Sequence, residues 1–344
     1  MKEAVIVSSV RTAIGRAPRG KLRYTRPEYM GAVAVKEAVA RAKGLDPAEI
    51  EDVILGCSFP EAEQGMNLGR IVALQAGFPD SVPGQTVNRF CSSGLQAIAM
   101  AAERIMCGFA DVIVAGGVES MSLVPMGGNK LAPSPVLAEQ YIETYTPMGT
   151  TAENVARRFN ISREDQDKFG LASQEKAAAA TREGRFKDEI VPMTIVNRSV
   201  GSDNKVIESE FIFAVDEGIR ATTLEALSKL RPAFSTTGSV TAGNSSQTSD
   251  GAAASVIMSA EKAASLGLKP LAVFRGFGIA GCPPDIMGVG PAYAIPKLMQ
   301  LTGKKVSDID LIELNEAFAS QALYCIRELG INPDIVNVNG GAIA

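Results

Sequence analysis

Cys91 is the residue of this 344-residue chain whose neighbours best suit it to act as a nucleophile. It sits in T-V-N-R-F-C-S-S-G-L-Q-A-I-A-M-A-A-E-R-I, where a β-branched run stops and an amphipathic helical pattern begins with Ser92, Ser93 and Gly94. That is the setting of a nucleophile elbow: unpaired N–H groups at a helix N-terminus favour thiolate, and small residues leave room for a substrate. A free thiol titrates near about 8.5, and the helix end is expected to lower that by about one unit. The plainer reading, a small hydrophobe buried at a strand end, stays open on spacing alone.

The sequence contains no histidine, which removes the usual general base near neutral pH. The five cysteines (Cys57, Cys91, Cys107, Cys282, Cys325) form no C-x-x-C pair, and without histidine no zinc set is complete. Free thiols in a reducing cytoplasm are therefore expected, with no metal site.

The elements that must position Cys91 follow from the hydrophobic pattern. A strand over 4–10 leads to a helix opening near Pro27 and closing at Gly44, then a strand at 52–56, a helix at 67–76 and a strand at 84–89. A helix over 93–107 and a strand from Asp111 complete this half, and the alternation predicts parallel pairing with helices on both faces. Residues 118–250 are loop-rich, with Pro125, Pro133, Pro135 and Pro147, and hold a long helix from the S-R-E-D run at Ser162 to Gly184. Strands at 253–258, 271–279, 309–314 and 334–338, with helices after Pro291 and from 316, restore the rhythm. E-I-E-D-V-I-L-G-C (49–57) echoes V-S-D-I-D-L-I-E-L-N (306–315), which points to an internal duplication.

Hydrophobic residues at 46% and charged residues at 21% give a globular balance, and the length favours two domains. The net charge of −4 comes from mixed signs, so neither a nucleic-acid groove nor a polybasic membrane patch is indicated. The N-terminal apolar run is too short for a signal peptide and no stretch approaches a membrane span, so a cytoplasmic protein is expected.

N-R-F-C-S-S-G-L-Q closely resembles the nucleophile motif of thiolases, especially the degradative 3-ketoacyl-CoA type. G-G-V-E-S-M-S (116–122), M-G-T-T-A-E-N-V-A (148–156), V-T-A-G-N-S-S-Q-T-S-D-G-A-A-A (240–254), G-V-G-P-A-Y-A-I-P-K (288–297) and N-E-A-F-A (315–319) follow in thiolase order. The resemblance implies an α/β thiolase fold of two duplicated mixed-sheet halves packed together with an inserted loop domain. Residues 1–118, completed by about 246–268, would form the N-terminal half, 119–245 the loop or lid domain, and 269–344 an incomplete C-terminal half. It implies a homodimer or homotetramer with the strand before Cys91 near the subunit interface, and no permanently bound cofactor. Coenzyme A and acyl-CoA would be substrates, in thiolytic cleavage of 3-ketoacyl-CoA during fatty acid β-oxidation or the reverse condensation.

Carried over motif by motif, Cys91 is the residue that becomes acylated. Asn315 is the residue that holds an oxyanion-hole water, although Asn after a strand also suits a helix N-cap. Phe318 is implied as a wall of the acyl pocket, Ser246 as a contact to the pantetheine arm, and Met148 and Met287 as cavity lining; bare sequence reads the same residues as core, flexible linker and gap-fillers. Arg220 and Phe234 fall in the region that receives the adenine nucleotide end; Arg220 is otherwise a solvated charge.

The family pattern runs on from N-V-N-G-G-A-I-A into a histidine segment and a second cysteine in a C-x-G run, whereas this sequence stops at Ala344. The expectation is thus a chain truncated before its base and acid, and inactive or impaired. Pro147 stands where biosynthetic relatives often have histidine. A biosynthetic acetoacetyl-CoA thiolase and a non-catalytic acyl-CoA or lipid-binding relative are the rival readings. A ketoacyl synthase would need a cysteine-histidine-histidine set that is missing.

Overall fold

The computed structural model describes residues 2–200 and 202–344, and they form two compact units. The first comprises Met1–Leu131, Lys187–Glu217 and Thr248–Arg275; the second comprises Ala132–Phe186, Gly218–Gln247 and Gly276–Ala344. Among the described residues, no helix is long and apolar enough to cross a membrane.

The first unit is built on one mixed sheet. Its main strands are β1 (Ala4–Thr12), β2 (Asp52–Gly56), β3 (Gln85–Val87), β4 (Val112–Ser120), β5 (Ser249–Ser259) and β6 (Ala272–Val273), in the order β6-β1-β5-β4-β2-β3. The expected parallel pairing holds for β4, β2 and β3, whereas β5 lies antiparallel to both β1 and β4. The reason is connectivity. A helical crossover returns the chain in the same direction, but β5 re-enters after an insertion of more than a hundred residues and is free to run the other way.

Alternate residues of each strand feed opposite faces, as the two-residue period of a strand requires. Val53, Leu55, Val112, Val114, Val256 and Met258 pack under α1 (Pro27–Arg41) and α2 (Leu68–Gln75). Ile54, Ile113, Ala115 and Ile257 pack against Ala97, Ala101, Ala102 and Ile105 of α3 (Ser93–Met106). Covered on both faces, the strands can be nearly uninterrupted apolar runs.

Alanines on the buried side of α3 let it ride close to the sheet, and Gly56 at the end of β2 lets its first turn come closer still. A Cβ built on Gly56 would lie 2.5 Å from the Ser93 carbonyl carbon. The start of the helix that follows Cys91 is thereby seated directly on the end of a central strand.

The second unit holds α4 (Met148–Arg158), α5 (Arg163–Arg182), a helix at Gly290–Thr302 and α6 (Ala319–Glu328). Ser162 caps α5 as its sequence promised, accepting from the Asp165 N–H at 3.1 Å. The strands expected at 309–314 and 334–338 reduce to a parallel bridge between Ile312 and Val336, and the one expected at 271–279 shrinks to β6 beside β1. Leu314 pairs instead with a side chain: its N–H donates to Asn337 Oδ1 and its carbonyl accepts from Asn337 Nδ2, both at 2.8 Å. A side chain that occupies both backbone groups leaves none for a longer ladder. The expected helix from 316 begins at Ala319, because Gln321 Oε1 accepts the Phe318 N–H at 3.1 Å and starts the helix there.

Replacing Gly56 with alanine is expected to lower the free energy of unfolding by roughly 1–3 kcal/mol, the usual cost of overpacking. Urea titration measures it, and an unchanged midpoint would contradict the close seating of α3.

Candidate active site

Cys91 lies in a short 3-10 turn, Phe90–Ser92, between β3 and α3. Phe90 adopts φ +45°, a left-handed conformation that costs a non-glycine residue on the order of 1 kcal/mol or more. Side chains hold the turn from both ends. Asn88 Oδ1 accepts the Phe90 N–H at 2.8 Å, while Ser93 Oγ accepts the Arg89 N–H at 2.8 Å and donates to the Phe90 carbonyl at 2.5 Å. The plainer expectation of a buried cysteine fails, since Cys91 is exposed.

The expected lowering of the Cys91 pKa fails too. Although the residue is open to solvent, enough protein surrounds the sulfur that desolvation pushes its pKa up, and the charge of Glu119 adds to the rise. The backbone N–H of Cys91 itself works the other way without offsetting the rise. Neighbouring Cys57 is buried, and burial followed by the Glu119 charge pushes it up to about 12.

Glu119, in the G-G-V-E-S-M-S stretch, is a functional candidate that the motif contained but residue types alone did not single out. Its carboxylate accepts from the Ser58 N–H at 2.7 Å and from Gln64 Nε2 at 2.7 Å, and faces Cys57 Sγ at 3.7 Å. Gln64 is fully buried. The one legible signal was a carboxylate at the end of an otherwise apolar strand.

In the second unit the Gly- and Ser-rich stretch is no flexible linker. Fully buried Asn244 donates to Asp167 Oδ1 at 2.9 Å and accepts the Thr241 N–H at 2.8 Å, and its carbonyl accepts the Ala319 N–H at 2.9 Å. The Ser246 N–H donates to the Ala317 carbonyl at 3.0 Å, so this stretch is stitched to the N-E-A-F loop. Phe318 is buried against Ala152 and Val240, with Met148 packed beside it, and meets Phe234 edge to face at 5.9 Å.

Asn315 is exposed and is not a helix N-cap; its carbonyl accepts from Gln321 Nε2 at 3.2 Å. The turn carrying Met287 abuts the same glutamine, since a Cβ on Gly288 would lie 2.7 Å from Gln321 Cγ. Six of the expected site residues of this unit thus share one neighbourhood: Asn315, Ser246, Met148, Phe318, Phe234 and Met287. Arg220 is anchored elsewhere, its N–H donating to Gln174 Oε1 on α5 at 2.7 Å.

Beneath that loop lies a second unforeseen carboxylate. Glu316, 2% exposed, accepts from Ser173 Oγ at 2.6 Å, Asn337 Nδ2 at 2.8 Å and the Ile343 N–H at 3.2 Å. It pins the exposed Asn315 from below.

The family model "Thiolase, N-terminal domain" matches residues 4–261, and "Thiolase, C-terminal domain" matches residues 268–344. The chain belongs to the thiolase family. It is 56% identical to the 3-ketoacyl-CoA thiolase of Bacillus subtilis (strain 168), covering 100% of this chain and 88% of that protein. To the peroxisomal 3-ketoacyl-CoA thiolase A of Mus musculus it is 48% identical, over 99% of this chain and 80% of the relative. The crystal structure of the Bacillus anthracis acetyl-CoA acetyltransferase superposes with a TM-score of 0.89 at 42% identity, covering 100% of this chain and 87% of that one. The thiolase fold is as expected. The C-terminal half, expected to be cut short, is present as a domain matched over residues 268–344.

A raised thiol pKa predicts that iodoacetamide alkylation of Cys91 keeps accelerating with pH beyond about 8.5, the ordinary cysteine value. Glu119→Gln removes a negative charge that disfavours thiolate, so its midpoint moves to lower pH. A plateau already reached at pH 7, or a Glu119→Gln midpoint that moves upward, would contradict this electrostatic account.

Proposed function

We propose that this acyltransferase of the thiolase family cleaves 3-ketoacyl-CoA with a second coenzyme A, giving acetyl-CoA and an acyl-CoA two carbons shorter. The observation that carries the reading is Cys91 exposed on a left-handed turn at a sheet end, in a chain 56% identical along its length to a 3-ketoacyl-CoA thiolase. Sulfur adds to the C3 carbonyl, and the C2–C3 bond then breaks with its electron pair leaving on the acetyl-CoA carbon, which takes up a proton. The acyl group stays on Cys91 as a thioester until the incoming coenzyme A thiol displaces it. The 344 residues contain no histidine, so within them Cys91 gives up its proton without an imidazole.

Asn315 would orient a water toward the oxyanion that forms on C3, which fits its exposure and the buried Glu316 that fixes its loop. Ser246 would contact the pantetheine arm, and Phe318 with Met148, Met287 and Phe234 would receive the acyl chain and coenzyme A. Arg220 would meet the nucleotide end. Coenzyme A enters and leaves as substrate rather than residing as a cofactor.

The similarity to an acetyl-CoA acetyltransferase favours a second reading, biosynthetic condensation of two acetyl-CoA molecules. Cleavage rates on four-carbon and longer 3-ketoacyl thioesters separate the two, because only the degradative enzyme should turn over long chains well.

An oligomer is supported by β3, an edge of the sheet, and by Phe90 and Leu95, which are exposed just after it. Sedimentation at micromolar concentration should give a dimer or tetramer, and a monomer there would refute it. Five unpaired cysteines suit a reducing cytoplasm, which fractionation of cells would check.

Asn315→Ala should lower thiolysis about 100-fold or more, the scale for removing an oxyanion donor, while the unfolding midpoint stays put. Parental turnover in that variant would remove Asn315 from the mechanism, and acetyl-CoA production by Cys91→Ala would remove the whole reading.

A further inference from the structure

The left-handed turn that presents Cys91 is tied to a distant strand end through one continuous chain of hydrogen bonds. Asn88 Oδ1 accepts the Phe90 N–H at 2.8 Å, and the same side chain donates from Nδ2 to the Ser58 carbonyl at 2.9 Å. The Ser58 N–H in turn donates to Glu119 Oε2 at 2.7 Å. Glu119 is itself fixed by Gln64, which also donates to the Phe59 carbonyl at 2.9 Å and accepts the Ser120 N–H at 2.5 Å. The Cys57 N–H donates to the Val87 carbonyl at 3.0 Å, so the segment following β2 is laced to the residues before the nucleophile at two levels.

Asn88, Glu119 and Gln64 each use both polar atoms of their side chains in this series. The buried end is a fully enclosed Gln64, and the exposed end is the backbone of Phe90, whose neighbour is Cys91. A non-glycine residue leaves the left-handed region unless something holds it there. Ser93 clamps the turn from the helix side, but that clamp is local to the turn and ties it to nothing outside. Among the described residues, Asn88 makes the one side-chain hydrogen bond between the turn and the segment after β2, beside a ring contact of Phe90 with Phe59 at 6.0 Å.

Resting on the proposed acyl transfer by Cys91, we infer that Asn88 is a positioning residue that holds Phe90 at positive φ, with Ser58 and Glu119 as its anchor. Asn88 touches no reacting atom. Its effect is to fix the direction from which the sulfur meets a thioester. Aimed attack on a bound thioester depends on that direction, whereas a small diffusing alkylating agent can approach from many sides.

The test is acyl transfer from acetyl-CoA to the whole chain, followed by intact mass, beside iodoacetamide alkylation at a pH where the thiol is ionised. Asn88→Ala should slow acylation about 10- to 100-fold, the scale of a one-ångström misplacement, with alkylation changed less than about threefold. Adding Phe90→Gly to Asn88→Ala should restore part of the lost acylation, because glycine keeps positive φ without the clamp. Asn88→Ser, whose hydroxyl can still accept the N–H two residues on, should lose less than Asn88→Ala. Parental acylation by Asn88→Ala, equal loss of acylation and alkylation, or a double variant no faster than the single would each overturn the inference. Acylation of Cys91→Ser at the parental rate would instead overturn the functional reading on which it rests.

Discussion

One backbone constraint organises the first unit: the chain must leave an edge strand, expose a sulfur, and start a helix within five residues. Phe90 meets it by adopting a left-handed φ of +45° between β3 and α3. The conformation is unfavourable by itself, so it persists because neighbouring groups over-determine it. Ser93 closes the turn on one side and Asn88 on the other, while Gly56 lets the first turn of α3 sit against the strand end.

The same constraint explains the electrostatics. A cysteine placed one turn ahead of the helix, in crowded surroundings and near Glu119, is a stronger proton holder than a free thiol. A raised pKa leaves less thiolate at neutral pH, but the thiolate that forms is more nucleophilic, since nucleophilicity grows with basicity. The second unit offers a different solution to positioning. There a buried carboxylate, Glu316, gathers Ser173, Asn337 and the Ile343 N–H under the loop that exposes Asn315.

Local signals made much of this legible. The β-branched run before Cys91, the small residues after it, Pro27 at the start of α1 and Ser162 at the cap of α5 each act through neighbours a few residues away. The direction of β5 and the loss of regular strands around Ile312 and Val336 depend on distant pairing, to which periodicity is blind. The supporting polar groups were hidden for the same reason. Glu119 meets Ser58 across 61 positions and Glu316 meets Ser173 across 143, separations at which no motif spacing speaks. Asn315 misled because asparagine after an apolar run suits a helix cap, yet the helix waits until Ala319.

Cys91 is the sulfur proposed to carry the acyl group. Brief exposure of the chain to a 3-ketoacyl-CoA, acid quenching and peptide mapping by mass spectrometry reads that directly. The acyl mass is predicted on the peptide containing Cys91. Its appearance instead on Cys57, Cys107, Cys282 or Cys325, or on no cysteine, would contradict it.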